Sequence, residues 1–322
     1  MESIKERKIY AAVKNDAIPG IRPTPEPVPE GLFQLPTVIA FIGKKASGKT
    51  TQAVNLSKSY QDFKSINTIY ILSPTYESNP EFKAIDVDPS NIYTNMDTVI
   101  QDLLEIEQKI IQSASDYEAY LEYKKAYKRW KNGDATLEDM IMLEQNMGPD
   151  NIPQQPPHQD KPKSLLLIDD LSHTDIYGTS KNNPLINMSL RHRHIGGLGY
   201  GVSIFMMVQT FKTGIPRALR QGAVSQFFLW ENNDNSNLKE MYESIGNSCS
   251  EKDFEEMFMK ATYNSTIHDH NFLIVDPYEK DRTKRFRKGY NTLLIPPSIF
   301  RGVSIQTDDI TSKAKKKPKY LK

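Results

Sequence analysis

Val38-Ile39-Ala40-Phe41-Ile42-Gly43-Lys44-Lys45-Ala46-Ser47-Gly48-Lys49-Thr50-Thr51 is the stretch whose reading decides the fold. Five apolar residues with the character of a buried strand run into Gly-x-x-x-x-Gly-Lys-Thr, and Thr51 to Tyr60 is compatible with a helix. Strand, glycine-bounded loop and helix in that order are the setting a phosphate-binding P-loop requires. Gly43 and Gly48 let the backbone curl, so that the amides of Lys44, Lys45, Ala46 and Ser47 point inward. Together with the positive end of the following helix they form a cradle for a polyphosphate. Lys49 is placed to reach the β- and γ-phosphates, and the Thr50 hydroxyl to sit on Mg²⁺. The expected nucleotide-binding set is therefore Gly43 to Thr51.

Downstream, Thr68-Ile69-Tyr70-Ile71-Leu72-Ser73-Pro74-Thr75 reads as a second buried strand stopped by proline, which makes a parallel βαβ unit with the first. In Ser164-Leu165-Leu166-Leu167-Ile168-Asp169-Asp170 a buried strand ends in paired carboxylates, the form of a Walker B strand. At the C-terminal edge of a sheet Asp169 can hold Mg²⁺ opposite Thr50, and Asp170 can polarise the attacking water as a general base. Val202 to Thr210 is a further strand with Gln209 at its end, positioned to bond the γ-phosphate or its water. Lys212, Arg217 and Arg220 follow it. Additional strands are expected at 224–230 and 272–277, with helical segments at 185–194, 236–246 and 250–261.

The remaining organisation is read from composition. Residues 1–33 carry Pro19, Pro23, Pro25, Pro27 and Pro29 and are expected to form a flexible, proline-rich arm. Residues 34–300 then hold the nucleotide-binding domain. Within it, apolar residues recur at helical spacing over about 96–147, a helical insertion read as an amphipathic hairpin packed on the core or a partner-contacting element. Residues 148–163 are a proline-rich return loop. Residues 301–322 form a basic tail, either solvated or touching nucleic acid.

The chain has 322 residues, 38% hydrophobic and 25% charged, with a formal net charge of +1. No global field draws it onto nucleic acid, so any such contact comes from local patches. One cysteine, Cys249, excludes an internal disulfide framework and fits a reducing compartment. No stretch approaches the roughly 18 to 20 apolar residues of a membrane span, and residues 1–8 lack the apolar core of a secretion signal. A soluble intracellular protein without membrane partners is expected. His192-x-His194 and His268-x-His270 each resemble half of a metal site, but neither is accompanied by a cysteine or a third spaced ligand. The guanine-reading Asn-Lys-x-Asp is not present, which leaves ATP as the expected nucleotide.

The order of these elements resembles the FtsK/HerA class of DNA-pumping ATPases, and more closely the genome packaging ATPases of poxviruses, related large DNA viruses and virophages. The residues that carry the resemblance are Gly43 to Thr50, Leu72-Ser73-Pro74-Thr75-Tyr76, Asp169-Asp170, Arg191 to His194, and Gln209-Thr210 with Ile215-Pro216 and Arg220 beyond. They span about residues 36–230. The resemblance implies an α/β P-loop fold, RecA-like, with a mainly parallel sheet flanked by helices. It also implies a homo-oligomeric ring that hydrolyses ATP with Mg²⁺ between subunits and drives double-stranded DNA into a capsid. Capsid or portal protein would be a further partner, and the setting the host cytoplasm, nucleus or virion. The wider class has Glu where this chain has Asp170, so the base has a shorter reach. Ring motors also take an arginine from the neighbouring subunit; Arg191, Arg193, Arg217 and Arg220 all qualify, with Arg217 and Arg220 favoured. The competing readings are a P-loop switch or assembly scaffold that translocates nothing, and a kinase, against which the lack of a recognisable acceptor lid counts.

Overall fold

The computed structural model describes residues 26–154, 160–172, 174–180, 182–231, 235–246, 248–264, 266 and 269–300. Strand β1 (Val38–Ile42) is buried along its whole length and lies inside a nine-stranded sheet. The other strands are β2 (Thr68–Leu72), β3 (Ile92–Tyr93), β4 (Ser164–Ile168), β5 (Val202–Val208), β6 (Gln226–Trp230), β7 (Phe272–Val275), β8 (Phe286–Lys288) and β9 (Thr292–Leu293). Their order is β3-β2-β4-β5-β1-β6-β7-β8-β9. The first six in that order run parallel, and β7, β8 and β9 are antiparallel. The fold is α/β, with the RecA-like feature that β5 separates β1 from β4.

Because the parallel strands are covered on both faces, their sequences are continuously apolar instead of alternating. Val38, Ala40 and Ile42 face one core, and Ile39 and Phe41 the other. Helix α1 (Lys49–Asp62) covers the second face with Ala53, Val54, Leu56 and Tyr60. The first face is covered by the start of α2 (Val99–Asn132), by α4 (Pro184–Leu190), by α5 (Arg217–Gly222) and by α7 (Glu251–Thr262). A shorter helix, α6 (Asn235–Met241), precedes α7.

Helix α2 has 34 residues, or about 50 Å at 1.5 Å per residue. Val99, Leu103, Ile106 and Ile110 pack on the sheet, whereas Tyr123 and Ala126 pack on Leu143 of α3 (Leu137–Glu144) in a separate small cluster. Thr136 and Asp139 form a reciprocal capping box at the start of α3, and Arg129 Nε donates to Asp139 at 2.7 Å. The helical insertion is thus a hairpin rooted on the core, with α2 ended by Gly133 in the left-handed conformation.

The stretch expected as an arm, 1–33, is described only from residue 26. Residues 26–33 are tied to the domain: Tyr60 Oη donates to the Phe33 carbonyl at 2.9 Å and Ser65 Oγ to the Pro27 carbonyl at 2.7 Å. Glu26 pairs with Lys161 and Lys163 at 2.9 and 3.1 Å. Prolines suit an extended segment that contributes few donors, and Phe33 supplies the apolar anchor. Residues 1–25 and the basic tail 301–322 lie outside the described residues. A second difference is β8, in a stretch (Arg282-Thr283-Lys284-Arg285-Phe286-Arg287-Lys288) where no strand was expected. Phe286 is fully buried between the outward Arg285 and Arg287, a period-2 pattern hidden by the surrounding cations. Burying that one ring is worth about 2 kcal/mol.

The expected helix 185–194 ends instead at Leu190, and the Arg-His run continues as turns. His192 is buried, with Nδ1 donating to the Ser189 carbonyl at 2.7 Å. Burial holds its pKa below the ordinary histidine value, against that bond and with the help of neighbouring Arg193. The unfolded chain therefore takes up this proton first, and stability contributed above the unfolded pKa is lost as pH falls. Melting temperature should drop as pH goes from 7.5 to 5.5, and His192→Asn should flatten that slope; an unchanged slope would show that other groups set it.

Candidate functional site

The C-terminal edge of the parallel strands gathers the residues singled out in the sequence. Gly43 N donates to the Val208 carbonyl at 3.2 Å, so the loop after β1 leaves the sheet beside the end of β5. Ala46 and Gly48 both take positive φ, 62° and 91°, which turns successive amides toward one concavity. A side chain at position 43 would have no room: a Cβ there would lie 2.7 Å from Ser47 Oγ and 2.8 Å from Trp230 Cβ. Lys49, 9% exposed, donates from Nζ to the Lys44 carbonyl at 2.9 Å. Burial lowers its pKa, while Asp169 and Asp170 pull it back up.

Across the edge, Thr50 Oγ1 donates to Asp169 Oδ2 at 2.8 Å, joining residues 119 apart in sequence. Asp169 is 2% exposed, and its pKa is pushed up to about 6, first by burial and then by the adjacent Asp170; Thr50 and Lys49 oppose the shift. A hydroxyl and a buried carboxylate, the latter made costly to ionise by burial and by Asp170, form the hard-oxygen donor set that suits Mg²⁺. Ser47 Oγ, buried on the same loop without a hydrogen-bond partner among the described residues, fits the same conclusion. The residues present are therefore compatible with a Mg²⁺-polyphosphate ligand.

Asp170 is exposed and takes φ of 54°, unusual for a residue with a side chain and costing about 1 kcal/mol or more. Two bonds hold it there: its backbone N donates to Asp169 Oδ1 at 3.0 Å, and its Oδ2 accepts from Thr75 Oγ1 at 3.0 Å. Gln209 follows the last residue of β5 and is exposed at the same edge. Thr51 Oγ1 lies 3.4 Å from Glu81 Oε1 on the segment after β2, while Lys44 and Lys45 are exposed on the loop.

The four arginines separate. Arg217 is exposed at the start of α5, with Nε donating to Gln221 at 3.0 Å. Arg220, 8% exposed, turns inward to Glu240 at 3.0 Å and stacks 4.8 Å from the Phe211 ring centroid. Arg191 pairs with Glu107 at 2.6 Å. Arg191 and Arg193 precede β5, so they sit toward the opposite edge of the sheet from Gly43.

Sequence reading missed the segment that closes the site on its other side. Beside the P-loop is a cleft of about 520 Å³, lined by Lys44, Ala46 and Ser47 and by Trp230, Glu231, Asn264 and His270. Trp230 Nε1 donates to the His270 carbonyl at 3.2 Å, and a Cβ on Gly48 would lie 3.1 Å from His270. In the sequence His270 stands out only in the pair His268-x-His270, read as half of a metal site, and nothing there ties it to the P-loop. His268 lies outside the described residues, and no group of three metal-capable side chains occurs among the described ones.

No family model matches the sequence, and no curated protein matches it. Solved structures do show a similar arrangement. One is the genome packaging NTPase from Sulfolobus turreted icosahedral virus 2 in complex with AMP, 11% identical over 78% of this chain and 96% of that one, with a TM-score of 0.45. Another is the DNA-packaging ATPase from Sulfolobus Turreted Icosahedral Virus, 15% identical over 74% and 92%, TM-score 0.42. A third is the pCW3 conjugation coupling protein TcpA in its monomer form with ATPγS, 12% identical over 65% and 52%, TM-score 0.37. At these identities no residue role is carried across, and the roles below rest on the geometry.

Trp130 and Trp230 are the two tryptophans, and only Trp230 borders the cleft. Adding ATP with Mg²⁺ should change the intrinsic fluorescence of the protein and of Trp130→Phe, while Trp230→Phe should lose the change. Lys49→Ala should abolish the change at ATP concentrations that saturate the unaltered protein. A full response from Lys49→Ala would remove the P-loop from nucleotide binding.

Proposed function

We propose that this chain is an ATPase that translocates double-stranded DNA, packaging a viral genome into a capsid as a homo-oligomeric ring. The observation that carries the ATPase part is the Thr50–Asp169 hydrogen bond, which places a P-loop hydroxyl on a buried strand-end carboxylate. Loop amides from Lys44 to Gly48 hold the phosphates, and Lys49 meets the charge on their terminal oxygens. Thr50 and Asp169 are the residues that would hold Mg²⁺, whose charge would offset that of the β- and γ-phosphates. Asp170 accepts the proton of the attacking water, and Gln209 orients that water from the end of β5. The base and ribose occupy the cleft lined by Trp230 and His270 beside the P-loop.

Arg217 is the arginine that serves a neighbouring copy, since it is the exposed one at the nucleotide edge. Arg220 is withdrawn from that task by Glu240 and Phe211. The DNA-packaging part is supported by the resemblance carried by Asp169-Asp170, Gln209 and the elements between them. Capsid or portal protein completes the partners, within the host cell or the virion. No described helix is long and apolar enough to cross a membrane.

Steady-state hydrolysis measured across protein concentration, with and without long double-stranded DNA, tests the reading. The rate per subunit should rise with both. A rate flat in both would replace the motor with a P-loop switch that assembles on nucleotide. Asp170→Asn should keep ATP bound and slow cleavage at least about a hundredfold; near-normal turnover would assign the base elsewhere. Lys49→Ala and Arg217→Ala should each be inactive alone, yet regain hydrolysis when mixed, because mixed rings contain interfaces with both residues intact. No recovery would take Arg217 out of the shared site.

A further inference from the structure

We infer that Thr75 is a positioning residue for the reaction, holding Asp170 so that its second carboxylate oxygen faces the water it must deprotonate. The inference rests on the ATPase reading above and adds to it a residue in which no phosphate contact or metal role is invested. Strands β2 and β4 are neighbours in register, with Leu72 opposite Ile168, and Asp169 N donates to the Leu72 carbonyl at 3.1 Å. Ser73-Pro74-Thr75 and Asp169-Asp170 thus leave the sheet side by side. There Thr75 Oγ1 donates to Asp170 Oδ2 at 3.0 Å and lies 3.2 Å from Ser73 Oγ.

The proton count orders this chain of groups. A carboxylate accepts, so the single hydroxyl proton of Thr75 is used on Asp170, and the Ser73 hydroxyl donates to Thr75. Ser73 is buried, and its N donates to the Tyr93 carbonyl at 2.9 Å, so the relay is rooted in the sheet. Asp170 is fixed at three points: its left-handed backbone, its N–H on Asp169 Oδ1, and its Oδ2 under Thr75. Oδ1 is left for the water. An aspartate has one methylene fewer than a glutamate with which to search for that water, so orientation must come from outside the side chain. A clamp of this kind changes the fraction of bound complexes in attacking geometry, not nucleotide affinity.

Thr75→Val, nearly isosteric, removes the hydroxyl. It should lower kcat about tenfold, the scale of one lost hydrogen bond to a charged group, with KM for ATP within about twofold of normal. Thr75→Ser should restore the rate. In single-turnover measurements in an Asp170→Asn background, Thr75→Val should add no further loss. The inference is overturned if Thr75→Val keeps or raises kcat, if Thr75→Ser is as impaired as Val, or if the loss persists in full without Asp170. An unaltered protein that hydrolyses no ATP overturns the ATPase reading and this inference with it, whereas a hydrolysing protein indifferent to Thr75→Val overturns this inference alone.

Discussion

The parallel register of β1, β5 and β4 is the constraint on which the site depends. Ile42 lies opposite Val208 and Ile168 opposite Met206, so both outer strands end level with the last residues of the strand between them. With strands about 4.8 Å apart, Gly43 and Asp169 emerge about 10 Å from each other at one edge. That separation is short enough for Thr50, the second residue of α1, to reach Asp169 at 2.8 Å. The three strands are apolar and buried throughout, so a slip between them changes little inside the sheet, and it is the polar strand ends that select one alignment.

Electrostatics explains why those polar ends are not simply paired off. Lys49 and Asp169 are both buried, and both are pushed toward their neutral forms, the lysine downward and the carboxylate upward. Lys49 donates to the Lys44 carbonyl instead of closing an ion pair with Asp169. A structural salt bridge would show the reverse shifts, each partner holding the other charged. Groups kept close, desolvated and unmatched are arranged for a ligand that brings charge of its own.

How much of this was legible in the sequence follows from distance along the chain. β1, the P-loop and the start of α1 were readable because the strand, the turn glycines and the phosphate ligands fall within fourteen consecutive residues, and β4 because its carboxylates interrupt an apolar run. The 263–271 loop was not readable, because His270 reaches Gly48 only through the pairing of β6 with the antiparallel β7. Phe286 was masked by the arginines around it, and the prolines before Phe33 suggested a free arm where the backbone is in fact tied to Tyr60 and Ser65. Spacing could list four arginines; strand order puts Arg191 and Arg193 toward the other edge, and burial divides Arg220 from Arg217.

That division gives α5 its place in the proposed ring. Arg220 joins Phe211, on the loop after β5, to Glu240 on α6, and Lys212 adds a contact of 3.5 Å to the same carboxylate. A six-residue helix has little stability of its own. Anchored by a buried arginine on its inner face, it holds its first residue, Arg217, at a fixed point on the nucleotide edge. The two arginines are three residues apart, nearly one turn, so the inward pair of Arg220 anchors the backbone from which Arg217 projects. An arginine offered to a neighbouring site must arrive at one place in every subunit, and in the proposed ring that constraint would lie within the chain that donates it.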